Sequence, residues 1–390
     1  MKEPRGHGAL AAGMIAAMIL AIFTIFSAGS ITHGFISYYT ASKLLVSGQL
    51  GPDAYDDAWF GARVQQLTTS SVREIFIPNP PTMSLMAVPL VGLDPQRART
   101  VWLFASLAVF VTSIGALVRY QARHTRDLAI PIVLVMMLAP AVFTNLRIGQ
   151  GYLFVFAMFT AATLMLLRDH DRLAGVFLGL LLALKTSGVA LAAILIARRK
   201  WATLAVAAMT ALALAIVIVP FIQPGMWSVY PSQVRAYVAR PASSVTAYQT
   251  TLGLFRHLCV ADPQWNPSPA ANCAPIAFVV PTLINAAATL LTMMLAWRST
   301  RAEPWLASAA ALSVLTLPAI AEPHFVLMAI PLALLRLSIV ETVVIGALLI
   351  VPLEWTAERF TSGWSSLLAY PRLYGAWLLW MASIRELRRC

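Results

Sequence analysis

The sequence predicts an all-α polytopic membrane protein, and three observations carry that prediction. Of its 390 residues 59% are apolar, only 11% are charged and the mean hydropathy is +0.76, whereas a water-soluble domain carries roughly 25% charge. Apolar blocks of about 20 residues recur along the chain, the length that crosses a hydrocarbon core about 30 Å thick at a helical rise of about 1.5 Å per residue. The basic residues fall between those blocks rather than in one patch. The net charge of +12 therefore reads as topology and not as a nucleic-acid footprint.

The elements follow in order as one integral domain over residues 1–390. Lys2 and Arg5 precede an apolar block over residues 9–28, longer than a typical signal core. It reads as an uncleaved anchor, with a signal cleaved near Ala28 as the other reading. Residues 29–97 form a large extramembrane loop holding Asp53, Asp56, Asp57, Glu74 and the turn-forming Pro78, Asn79, Pro80 and Pro81. Within it, FISYYTASKLLV places Phe35, Tyr38, Tyr39, Leu45 and Val46 near one helical face, which predicts a helix lying along the membrane interface. Thr82 to Leu93 is apolar but too short to span. Further blocks over 98–118, 128–144, 151–167, 201–220, 276–297, 305–320, 324–336, 338–353 and 364–383 bring the total to about ten crossings, the shorter ones tilted or kinked.

Threading these blocks alternately gathers Lys2 and Arg5; Arg119, Arg123 and Arg126; Arg168 and Arg172; Arg198, Arg199 and Lys200; Arg298 and Arg301; Arg336; and Arg385, Arg388 and Arg389 on one side. That side holds 16 of the 28 basic residues, the other holds 11 over much longer loops, and Lys185 stays inside the membrane. The positive-inside rule makes the first side cytoplasmic, with both termini there, and turns loops 29–97 and 221–275 outward. The expected location is a bacterial cytoplasmic membrane.

Residues 173–197 are apolar except at Lys185, yet the basic clusters before and after them both belong to the cytoplasmic side. A single crossing would separate those clusters. Two half-length helices, Leu173 to Leu184 and Thr186 to Ala197, entering and leaving on one face with Lys185 at the tip, avoid this. One continuous span, which inverts everything downstream, is the alternative.

Lys185 is the sharpest candidate for chemistry. A lysine at the bilayer centre costs about 2.5 to 3.5 kcal/mol on insertion scales and is by default functional. A lipid phosphate is a natural partner, and snorkelling or an ion pair with an intramembrane carboxylate is the structural alternative. NLRIGQG brings Asn145, Arg147 and Gln150 to one outer helix end, and AEPHF brings Glu322 and His324 to another. With His33, Tyr38, Asp53, Asp56, Asp57, Glu74 and Asn79 of the first loop, these residues can line a polar cavity that opens outward. Taken singly, each also reads as a solvated loop residue or a helix cap. Arg147, between two apolar blocks, suits bidentate phosphate binding or a structural ion pair.

Three cysteines fit neither a zinc site nor a dense disulfide framework. Cys259 and Cys273 flank a Pro/Asn-rich stretch on the oxidising side, where a disulfide is expected, while Cys390 should stay reduced. No metal site is expected, since Asp53, Asp56 and Asp57 sit in a Pro/Gly-flanked loop where carboxylates are commonly solvated. No phosphate loop or nucleotide fingerprint appears.

The ordered series YYTASKLLVSGQ, PNPPT before LMAVPLVGL, NLRIGQGYLFVFAMFTAATLML, RLAGVFLGLLLALKTSGVAL and LPAIAEPHFVLMAIPLALL resembles the family 87 glycosyltransferases, over most of residues 1–340. The resemblance implies a type C bundle whose outer loops roof a cavity. It also implies a polyprenyl-phosphate sugar donor, usually mannose, and inverting transfer to an acceptor outside the cytoplasmic membrane. No cofactor is implied, because the lipid-linked donor is a substrate; the partners are that donor, membrane lipid and an acceptor. By resemblance, Lys185 holds the lipid phosphate, Gln150 and Asn145 contact sugar or phosphate, and His324 sits by donor or acceptor. Family members carry an aspartate just before the YY helix, the expected base, where this chain reads Ile31, Thr32, His33, Gly34, Phe35. Asn79 stands for the tyrosine common before the Pro-Pro turn, and Thr186 for the usual proline after the lysine. The base is then His33, or a carboxylate such as Asp53, Asp56 or Glu322; the third reading is a chain that binds lipid-linked sugar without transfer. A transporter or flippase of such a substrate is the competing class.

Overall fold

A computed structural model describes residue 31 and residues 33–68, 71–122, 129–239 and 245–389, with side chains described at all of these except 122, 129–137, 354, 355 and 357. The expected anchor over 9–28, Lys2, Arg5, Arg123, Arg126 and Cys390 lie outside the described residues.

The first outer loop opens with α1 (Phe35–Val46) and α2 (Asp57–Thr68). It closes with two 3-10 turns, Pro81–Leu85 and Val88–Leu90. Helix α1 is not a one-faced interfacial helix: Ser37, Thr40, Ala41 and Ser42 are buried along with its aromatic residues. Those small side chains let the Pro81–Leu85 turn approach closely, and Ser42 Oγ donates to Ser84 O at 2.5 Å. Phe35, Tyr39, Tyr55, Phe60 and Phe76 join Trp102 in a core that belongs to the loop itself.

The bundle follows. Helix α3 (Pro95–Ala122) is started by Asp94, whose Oδ1 accepts from the amides of Gln96 and Arg97, with Pro95 in the first helical position. After α4 (Ala129–Ile148) comes α5 (Tyr152–Leu166), apolar around most of its circumference and packed inside the bundle. Next are α6 (Asp171–Lys185), α7 (Val189–Ala197) and α8 (Trp201–Ile218). The second outer loop carries α9 (Met226–Ala239) and α10 (Thr251–Cys259). The remainder comprises α11 (Ile276–Arg298), α12 (Glu303–Leu315), α13 (Ala329–Leu334), α14 (Ile339–Ile350), α15 (Leu353–Arg359) and α16 (Pro371–Arg388). The last predicted block divides at Pro371: residues Gly363–Ala369 form a 3-10 turn, and Pro371 opens α16. Among the described residues, three helices are long and apolar enough to cross a membrane: Pro95–Gln121, Trp201–Phe221 and Ile276–Arg298. Shorter apolar helices include Tyr152–Leu166 and Ile339–Ile350.

Helix α6 breaks after Lys185, where Thr186 takes the left-handed conformation at φ 53°. Lys200 Nζ lies 3.0 Å from Asp171 Oδ1, so the chain that leaves with α6 returns with α7 to the same end. Helix α8 then runs alongside α6. A Cβ added at Gly175 would stand 2.6 Å from Thr203 O, and one at Gly179 would stand 2.6 Å from Ala207 O. This Gly-x-x-x-Gly stripe brings two backbones together as membrane helices require in the absence of a hydrophobic drive. Gly179→Val is expected to cost about 1–3 kcal/mol through overpacking, read as a lower unfolding temperature in detergent.

The basic stretches meet at one end of the bundle. Arg198 Nη1 donates to Ala296 O at 2.8 Å and Ser299 O at 2.7 Å. Arg301 lies 3.6 Å from Glu386, whose Oε1 accepts from Arg336 N at 2.7 Å. Arg385 pairs with Glu341, and Tyr120 donates to Glu303 at 3.1 Å. The ends of α3, α7, α11 and α16 and the starts of α6, α8, α12 and α14 therefore share one charged rim. Lys185 stands at the far end of α6, about 20 Å from that rim at 1.5 Å per residue.

Candidate active site

A cavity of about 450 Å³ opens at the end that holds Lys185. One wall is the beginning of α1 with the extended run Glu74 to Pro80; another is the α4–α5 corner with Gln150 and Tyr152. The α6–α7 break and the Ala321–His324 segment supply a third, and Tyr230 and Tyr237 of α9 with Tyr248 supply a fourth.

Lys185 enters this cavity from the end of α6. Its Nζ donates to Asn79 Oδ1 at 2.7 Å and lies 4.8 Å from the Tyr38 ring centre and 5.2 Å from that of Tyr152. Ring faces attract a cation without neutralising it. Among the described residues Lys185 enters no ion pair, and its amine faces the cavity. The end of α6 is tied down from the first loop, because Thr82 Oγ1 donates to Ala183 O.

The α4–α5 corner is held from α3. Arg99 Nη2 donates to Leu146 O at 2.5 Å and Trp102 Nε1 to Gly149 O at 2.9 Å. Gly149 has φ +67° and passes so close to Phe35 that an added Cβ would stand 2.5 Å from the Phe35 Cβ, so only glycine fits there. This corner turns Gln150 into the cavity, where its Oε1 accepts from Tyr38 Oη at 2.6 Å. Burial pushes the Tyr38 phenol pKa well up, which keeps it a donor.

The predicted residues therefore separate. Tyr38, Asn79, Gln150, Lys185 and His324 line the cavity. His324 Nδ1 lies 3.0 Å from Ala321 O, an acceptor only, so the proton sits on Nδ1 and Nε2 is left as an acceptor; the ring centre lies 3.6 Å from that of Tyr152, with the two planes tilted by 36°. Asn145 lies behind the wall, donating to Ala141 O and Pro323 O at 2.8 Å each. Arg147 is exposed at the end of α4. Asp53 is exposed, and Asp56 caps α2, its Oδ1 accepting from Trp59 N at 2.7 Å. Glu322 accepts from Thr144 Oγ1 at 2.8 Å and pairs with the buried Arg372. His33, with its side chain 67% exposed, stands 3.8 Å from Glu74. Neither it nor Asp53, Asp56, Asn145, Arg147 or Glu322 lines the cavity.

Glu74, one of the first-loop acids expected at the cavity, does line it, accepting from Gly34 N at 2.5 Å and Ile75 N at 3.0 Å. In the sequence it follows Arg73 and directly precedes the apolar run IFIP that leads into the Pro-Pro turn. Tyr152 and the tyrosines of the second outer loop carried no signal, because aromatic residues in apolar stretches ordinarily pack.

Cys259 and Cys273 form a disulfide that closes the loop between α10 and α11. Asn266 donates within that loop to His257 O and Val260 O. Cys259→Ser is expected to remove about 3 kcal/mol, the loop-closure term for about 15 residues, seen as a fall in unfolding temperature that reductant reproduces in the wild type.

Fold and cavity together define an α-helical integral membrane protein with a polar, cation-bearing recess at the end opposite its basic rim. The chain belongs to glycosyltransferase family 87, whose family model matches residues 76–320, more than half of its length. It is a membrane glycosyltransferase. The matched stretch includes Asn79, Gln150 and Lys185 and leaves Tyr38, Glu74 and His324 outside. No curated protein and no solved structure gives a significant match.

Proposed function

We propose that this protein moves a sugar, mannose, from a polyprenyl-phosphate donor to an acceptor on the outer side of the bacterial cytoplasmic membrane, with inversion. The observation that carries the reading is the Lys185 amine, held by an amide and two ring faces at a cavity wall and bound in no ion pair among the described residues. Glycosyl transfer passes through an oxocarbenium-like state. A phosphate leaving group needs no protonation if its growing charge is met electrostatically, and a fixed amine in a site of low dielectric does that. Asn79 positions the amine; Gln150 and His324 Nε2 supply polar contacts for the sugar.

The topology of this reading has about ten crossings, the shorter apolar helices completing the set begun by the three long ones. The single charged rim supports placing that end in the cytoplasm by the positive-inside rule, with both termini, and the cavity outside. Purified protein incubated with radiolabelled polyprenyl-phosphate mannose is expected to release the sugar to a glycan or glycolipid acceptor. Binding of the donor without release would instead mark a transporter or a non-catalytic binder.

A further inference from the structure

We propose that Glu74 is the general base that takes the proton from the acceptor hydroxyl, an assignment that rests on the sugar transfer proposed above. Among the described residues that line the cavity, Glu74 is the carboxylate. The other carboxylates considered for the base are spent or turned away: Asp56 on a helix cap, Asp53 on exposed surface, Glu322 on Arg372.

The way Glu74 is held fits the task. Its two oxygens each accept one backbone amide, Oε2 from Gly34 at the start of α1 and Oε1 from Ile75. Each oxygen therefore keeps a second lone pair for a hydroxyl. The side chain is 16% exposed, sheltered yet reachable. Gly34, at φ +90°, has space for no side chain: an added Cβ would stand 2.6 Å from Ile148 O. The backbone at this point thus delivers its N–H to Glu74 and nothing else. Glu74 and Lys185 share the cavity without a salt bridge between them, and His33 Nδ1 stands 3.8 Å from Glu74 Oε2.

The step balances. The acceptor oxygen forms its bond to the anomeric carbon as the bond from that carbon to the phosphate oxygen breaks. The electron pair leaves with the lipid phosphate, toward Lys185. The acceptor proton passes to Glu74 and from there to water at the side where His33 is exposed.

The test compares wild type, Glu74→Gln and Glu74→Asp in detergent, measuring transfer from polyprenyl-phosphate mannose across pH together with donor binding and unfolding temperature. Loss of a general base is expected to lower kcat by about 10²–10⁴-fold in Glu74→Gln, with donor affinity and unfolding temperature close to wild type. Glu74→Asp should transfer at an intermediate rate and keep the fall in rate at acid pH that Glu74→Gln loses. Glu74→Gln turnover within about threefold of wild type, or an unchanged acid limb, overturns the assignment and leaves the transfer reading standing. A Glu74→Gln that does not fold hands the test to Glu74→Asp, where a wild-type rate and acid limb shifted nowhere overturn it. Wild type that binds donor and never releases sugar overturns both readings.

Discussion

Lys185→Met is expected to abolish use of the lipid-linked donor while the protein stays folded. A donor aimed at developing charge in a water-poor site is worth about 10²–10³-fold in rate, roughly 2.7–4 kcal/mol, and the drop in kcat/KM should be at least of that size. Stability should move the other way. An amine at membrane depth costs about 2.5–3.5 kcal/mol to insert, and Met offers an unbranched chain of similar reach that fills the same space. Asn79 Oδ1 loses its donor at 2.7 Å, which offsets part of the gain. The combination of an unchanged or raised unfolding temperature and lost transfer separates a binding role from a structural one. Normal turnover in Lys185→Met would remove the amine from the site and with it the phosphate-holding role.

Glu322→Gln should show the opposite pattern. Arg372 is 1% exposed, and its guanidinium meets Glu322, Leu349 O and Val351 O. Removing one member of a buried pair costs about 3–5 kcal/mol, a large fraction of a typical total stability of about 5–15 kcal/mol. Replacing both partners, Glu322→Gln with Arg372→Met, should recover much of that loss, because the stranded charge is gone. The segment behind Glu322 carries His324 into the cavity, so activity in the single variant should fall in proportion to folded protein. A well-folded Glu322→Gln devoid of transfer would return this carboxylate to the candidates for the base.

The all-α, apolar character of the chain and the three long apolar helices among its described residues were legible in the sequence because the bilayer imposes a length scale on a spanning helix. The break near Lys185 was legible because two basic clusters could share one side only if the intervening helix turned back. The interfacial reading of α1 was not sustained. Periodicity finds the large apolar residues and is blind to Ser37, Thr40 and Ser42, whose small size lets a second layer of backbone cover the other face. The same blindness hid Gly175 and Gly179, which matter for what they lack.

The site shows the division most clearly. Composition and position alone selected Lys185, since a charge in an apolar block is costly wherever the chain goes. Which acid would stand across the cavity from it depended on distances that no local pattern encodes. Asp53 and Asp56 lie closer in sequence to the aromatic helix than Glu74 does, yet a loop of 40 residues brings Glu74 to the Gly34 amide and leaves them outside. Local energetics thus settled which segments are long, apolar helices and which one carries a lone lysine. Long-range packing, by deciding which carboxylates are consumed by Arg372 or a helix cap and which is left facing the cavity, settled what that charge can do.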